Sequence, residues 1–212
     1  MITITDLKMQ RRWTLWRLES GPDGKPTKPP YSPGGFKHDI TNPDNLKTYA
    51  DLEPLAGNGF TGLGFALGTF DGVSVWGVDI DKCCDAVTGK FSPESRQAVI
   101  DLDTYGEFSP SGTGCHVVGL GKLPIEPGHK REVLVRPFPG AKQIEIKGLG
   151  FYFTYTDRHL SKTPAVLILP ESCLRQRCGR YCSFRRFHTG HRLPEKWRKF
   201  SGVFLALSSS GR

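Results

Sequence analysis

The chain has 212 residues, of which 37% are hydrophobic and 11% aromatic, so it can enclose one well-buried domain and is too apolar for a disordered polymer. It has no uninterrupted apolar run of about 18 residues, so no membrane span is expected, and the N-terminal MITITDLKMQRRW lacks the basic-then-apolar order of a secretory signal. Six cysteines, with Cys83 and Cys84 adjacent, do not resemble the framework of a small disulfide-bonded domain, and a reducing cytoplasm is the expected setting.

The net charge of +8 is unevenly distributed. Residues 173–212 hold ten Lys and Arg against one acid, Glu195, leaving 19 basic and 20 acidic side chains in residues 1–172. The body is therefore near neutral, and its charge alone identifies no acidic partner.

In chain order, RRWTLWRLES (11–20) reads as a strand with Trp13 and Leu15 on one face and Arg17 next in that alternation. GPDGKPTKPPYSPGGFKHDITNP is dense in Pro and Gly and should be a long ordered loop or hairpin carrying Lys25, Lys28 and Lys37. A helix is expected from Asn42 to about Leu55, with Asn42 as cap and Pro43 in the first turn. GLGFALG (62–68) and VSVWGVDID (73–81) read as two strands joined at Phe70-Asp71-Gly72. Ser92-Pro93-Glu94 supplies a capping hydroxyl, a first-turn proline and an acid for a helix running to about Thr104. HVVGLG (116–121), QIEIKG (143–148) and FYFTYT (151–156) complete the strands. There is no fixed-period repeat, and the pattern is α+β: a mixed or antiparallel sheet with flanking helices.

Three short segments carry chemistry. Asp79 and Asp81 project from the same face of their strand, with Cα atoms about 6.5 Å apart, while Ser74, Trp76, Val78 and Ile80 form the opposite, mostly buried face. Two carboxylates so placed can share Mg²⁺ or Mn²⁺, which prefer oxygen ligands. Without a cation they repel, so loss of either should leave the metal-free fold as stable or more so. The competing reading is two solvated aspartates with Lys82 as ion-pair partner. In SPSGTGCHVV (109–118), Ser111, Gly112, Thr113 and Gly114 form a small-residue turn whose N–H and hydroxyl groups suit phosphate, with His116 on the next strand. A tight turn beside a structural histidine fits equally well. In QIEIKG, Ile144 and Ile146 face inwards, leaving Gln143, Glu145 and Lys147 opposite. Glu145 could be a third carboxylate and Lys147 a phosphate contact, although an ordinary amphipathic strand looks the same.

The order of these segments is more specific than any one of them. DxD on a strand, SxGxGxH and then a strand acid resemble the three motifs of the archaeo-eukaryotic primase superfamily, most closely the bifunctional primase–polymerase domains of phages, plasmids and integrated elements. KPPYSPGG, GLGFALG and GFYFTYT add to a likeness covering roughly residues 11–170. The resemblance implies an RRM-like catalytic core in residues 1–172. It implies Asp79, Asp81 and Glu145 as catalytic ligands of two Mg²⁺ or Mn²⁺ ions, and Ser111, Gly112, Gly114, His116 and Lys147 as nucleotide-binding residues. It further implies a single-stranded DNA template, nucleoside triphosphates, a helicase supplied by a separate protein, and a bacterial or archaeal host cytoplasm. Where such domains often carry an arginine after the glycine that follows the third motif, this chain has Phe151, so that basic contact is either missing or supplied by Lys147 or Arg158.

The tail, 173–212, has Cys173, Cys178 and Cys182 followed by His188 and His191, a set that could hold a structural Zn²⁺. The spacing is not that of a standard finger, and a solvated basic tail is the preferred reading. Two other functions stay open: a catalytically silent nucleic-acid-binding replication protein, and a metal-dependent nuclease or phosphodiesterase.

Overall fold

Alternation along the longest strand sets the layers. The computed structural model describes residues 2–121, 131–136 and 139–167, and contains β1 (Ile2–Thr3), α1 (Ile4–Met9), β2 (Trp13–Trp16), β3 (Glu19–Ser20), β4 (Pro26–Thr27), β5 (Pro30–Tyr31), α2 (Tyr49–Leu52), β6 (Gly62–Ala66), β7 (Gly68–Phe70) and β8 (Val73–Asp81). It continues with α3 (Pro93–Leu102), β9 (Gly106–Phe108), β10 (Cys115–Leu120), β11 (Arg131–Val135), β12 (Gln143–Lys147), β13 (Tyr152–Thr154) and β14 (Val166–Leu167). One sheet has the order β11-β12-β8-β10-β9 with β7 paired to β8; a second has the order β13-β6-β2-β5. The named strand pairs are all antiparallel, so the α+β expectation holds and the sheets are antiparallel rather than mixed.

On one face of the larger sheet, Trp76, Val78, Ile80, Val117, Ile144 and Ile146 pack against Ala98 and Val99 of α3. On the other face, Val75, Val118 and Leu120 pack against Trp13, Leu15, Phe65 and Phe153 of the smaller sheet. That second face changes character along β8, from Val75 beneath the smaller sheet, through Gly77, to Asp79 and Asp81 beyond the cover. Gly77 is required there: a Cβ would lie 2.1 Å from Cε2 of Phe153, whose ring occupies the space.

α3 begins as its sequence signals dictate, with Ser92 accepting from the Ser95 N–H and Pro93 in the first turn, and it ends at left-handed Asp103. Asp71 and Gly72, both at positive φ, close the β7–β8 hairpin, as suits a tight two-residue turn.

Other expectations need correction. Trp13–Trp16 is buried on both faces rather than one, while the Arg17 guanidinium lies over the Tyr31 and Phe60 rings. GLGFALG is not one strand; β6 joins the smaller sheet and β7 the larger, with the change of sheet at Leu67–Gly68. The helix expected over Asn42–Leu55 is broken. Asn42 caps only the 3₁₀ turn Pro43–Asn45, and Thr48 caps the short α2 in a reciprocal pair with Asp51. Between them Lys47 exchanges both backbone hydrogen bonds with Trp13, at 2.9 and 3.1 Å, and Leu46 is fully buried. Sheet pairing and burial thus outweigh local helix preference. The boundary at residue 172 and the basic tail, with its cysteine–histidine set, lie outside the described residues. Among the described residues no helix is long and apolar enough to cross a membrane, and Cys83, Cys84 and Cys115 are free thiols.

Candidate active site

Register, rather than sequence proximity, assembles the site. Asp79 on β8 lies opposite Glu145 of β12 and opposite His116 of β10, and His116 lies opposite Glu107 of β9. Directly opposed residues share a face, so Glu107, His116, Asp79 and Glu145 form one row across four adjacent strands. Gln143 lies opposite Asp81 and Lys147 opposite Gly77, on the same face.

An ammonium neutralises the centre of the row. Lys147 Nζ lies 2.8 Å from Asp79 Oδ2 and 2.5 Å from Glu145 Oε2, with all three side chains less than a fifth exposed. Gln143 Nε2 also donates to Glu145 Oε1 at 2.8 Å. Burial alone would raise the pKa of Asp79, but His116 and Lys147 outweigh it and hold the carboxyl below its ordinary range. Because burial lowers the His116 pKa to about 4, the imidazole is neutral at pH 7, and Lys147 is the standing counter-charge there. Burial pulls the ammonium of Lys147 the other way, yet its two carboxylates raise its pKa overall. Asp81, exposed at the strand end, has its pKa raised by partial desolvation and then by the charges of Asp79 and Glu145. The described residues show no ion pair from Lys82 to either aspartate.

His116 is 5% exposed and stacks on Phe153, with centroids 4.3 Å apart and planes 15° apart. Its Nε2 lies 3.9 Å from Asp79 Oδ1, and its Nδ1 lies 4.0 Å from Glu107 Oε1. Above the row is a cleft of about 470 Å³, floored by Asp79, His116 and Lys147 and walled by Lys28, His38 and Phe153 among others. Desolvation at the rim lowers the Lys28 pKa, while Asp79 and Asp81 oppose that shift. The Tyr152 hydroxyl donates to the Lys28 carbonyl, tying this lysine's backbone to β13.

The small-residue turn lies at the far end of β8. A Cβ on Gly114 would meet the Ile80 carbonyl oxygen at 2.7 Å and Asp81 Cα at 3.6 Å, so only glycine lets the turn lie against the end of the DxD strand. Ser111 Oγ bonds the hydroxyls of Ser109 and Thr113 at 3.1 and 3.0 Å. The Arg158 guanidinium, stacked over Phe108, comes within 3.9 Å of where a Cβ of Gly112 would be. The structure thus lines the cleft with Asp79, His116 and Lys147, ties Glu145 to Asp79 through the Lys147 ammonium, and sets Gly114 of the small-residue turn against Asp81 at the end of β8.

Sequence reasoning passed over Glu107 altogether and left Lys28 among general loop lysines. Alternation in GEF gives Glu107 no distinguishing mark, since its role depends on pairing with His116. Among the described residues no three carboxylate, imidazole or thiol groups converge as around a bound cation; the Lys147 ammonium lies between Asp79 and Glu145.

No family model matches the chain. It is 32% identical over 158 residues to the DNA primase-polymerase of Nitratiruptor phage NrS-1, an overlap of 72% of this chain and 20% of that protein. The chain spans about a fifth of the length of that relative.

Proposed function

Because the chain belongs to the primase–polymerase family, we propose that it catalyses metal-dependent, template-directed nucleotidyl transfer during replication of a phage or other mobile element. The observation that carries this reading is the pairing of Asp79, on the floor of a nucleotide-sized cleft, with Glu145 across adjacent strands, with Asp81 on the same face of the sheet.

The donor set fits a hard divalent cation. Three carboxylates offer only oxygen ligands, and an ammonium already lies within 2.8 Å of two of them. Asp79, Asp81 and Glu145 would hold Mg²⁺ or Mn²⁺, which when bound activates an attacking 3′-hydroxyl and neutralises the departing pyrophosphate. Lys147, released from its carboxylates, is in reach of a nucleotide phosphate in the cleft. His116 and Lys28 face the same space, while Arg158 and the Ser111–Gly114 turn offer donors near the Asp81 end of β8. These groups position the triphosphate and spread its charge, the main contribution a protein makes to phosphoryl transfer. Single-stranded DNA is the proposed template and a separate helicase the proposed helper.

Incubation with a primed single-stranded oligonucleotide, labelled deoxynucleotides and Mn²⁺ tests the reading. Extension of the primer supports it. Cleavage alone would establish phosphodiesterase chemistry instead, and retention of the strand without either reaction would establish a silent binding protein.

A further inference from the structure

We infer that Glu107 is a positioning residue for His116, held behind the imidazole at Nδ1 so that Nε2 is presented to the cleft. The proposal rests on His116 being a nucleotide contact. Glu107 and His116 are direct partners across β9 and β10, and the carboxylate is 0% exposed. Its Oε1 accepts from the Thr156 N–H at 3.1 Å and its Oε2 from the Tyr105 hydroxyl at 3.2 Å, which fixes the carboxyl plane. His116 Nδ1 is buried and has no partner in hydrogen-bond geometry; the Thr154 backbone lies near the ring, and the near acidic neighbour of Nδ1 is Glu107 Oε1, 4.0 Å away. A shift of roughly 1 Å closes that gap to hydrogen-bond length, and such contacts tighten when a ligand binds.

A carboxylate wholly removed from water is costly, and the neutral donors of Thr156, Tyr105 and Asp157 offset only part of that cost. The Phe153 ring stacks on the imidazole and fixes its plane, but stacking leaves rotation within that plane open. A hydrogen bond at one ring nitrogen determines which way the other points. Glu107 supplies that restraint from the side remote from the cleft, and Asp79 lies on the cleft side.

The test is a double-mutant cycle read as affinity for dATP in the presence of Ca²⁺, with binding of a single-stranded oligonucleotide as control. His116→Ala should weaken dATP binding on the order of 10-fold. Glu107→Gln should weaken it by about as much, as second-layer partners of a functional histidine do. The Glu107→Gln loss should fall below about 2-fold on the His116→Ala background, with oligonucleotide affinity unchanged throughout. Should Glu107→Gln unfold the protein, Tyr105→Phe, which frees one carboxylate oxygen, replaces it and should give a smaller loss that also vanishes without His116. Unchanged dATP affinity in Glu107→Gln, or an equal loss with and without His116, overturns the positioning role. Unchanged affinity in His116→Ala overturns the nucleotide-contact reading itself.

Discussion

Repulsion alone would make loss of either aspartate neutral or stabilising in the metal-free protein, but the Lys147 ion pair reverses that expectation for Asp79 and leaves it standing for Asp81. Lys147 Nζ is held at 2.8 Å by Asp79 and at 2.5 Å by Glu145, with the three side chains 14–18% exposed. Removing one partner of a fully buried pair costs about 3–5 kcal/mol. Here Glu145 remains, and the desolvation cost of Asp79 is relieved, so Asp79→Asn should cost about 1–2 kcal/mol. For a protein of this size that lowers Tm by roughly 2–8 °C. Asp81 is exposed and its charge is opposed by Asp79 and Glu145, so Asp81→Asn should leave Tm unchanged or raise it by about 1 °C. Mn²⁺ at about 100 times its Kd should stabilise the wild type by about 2.7 kcal/mol, or roughly 5–10 °C, and both variants should lose most of that increment. Differential scanning fluorimetry of the three proteins with and without Mn²⁺ reads all of these shifts. A metal-free Asp79→Asn protein as stable as wild type would refute the ion-pair argument, and a full Mn²⁺ increment in that variant would refute the ligand assignment.

Removing the ammonium by Lys147→Gln should tighten Mn²⁺ binding several-fold in the absence of nucleotide, while weakening dATP binding; calorimetric titration of each ligand checks both signs. Gly77→Ala drives a methyl group into the Phe153 ring, costing about 1–3 kcal/mol and weakening dATP binding by displacing the ring that stacks on His116, both measurable by urea denaturation and titration. Stability against pH should show two opposed limbs. Burial raises the Glu107 pKa from 4.5 to about 7, so its contribution is full below pH 4.5 and is lost as pH rises through 7. Burial lowers the His116 pKa from 6.5 to about 4, so its contribution is full above pH 6.5 and is lost as pH falls through 4. Each limb is worth on the order of 3 kcal/mol, and they nearly cancel in the wild type. Glu107→Gln should therefore gain stability as pH rises from 4 to 6.5, and His116→Phe should lose it from 4.5 to 7; urea midpoints at several pH values decide.

The sequence by itself determined what depends on neighbours along the chain. Strand alternation puts Asp79 and Asp81 on one face and Trp76, Val78 and Ile80 on the other, because side chains alternate whatever surrounds them. Ser92 and Pro93 start α3 because capping satisfies local N–H groups, and the Asp71-Gly72 pair closes its hairpin for an equally local reason. The motif order marked Glu145, His116 and Lys147 as candidates but left their contacts open. Only the tertiary structure decided that Lys147 bridges Asp79 and Glu145, that Glu107 stands behind His116, and that Lys28 comes over the cleft from a loop far back in the chain. The first two are matters of strand register, fixed by which apolar face is buried, and the third of how a loop packs over the sheet, none of them by any short segment. The broken helix at Leu46–Lys47 has the same origin: pairing with Trp13 and burial of Leu46 outweigh a modest local preference that the residues from Asn42 to Leu55 would otherwise follow.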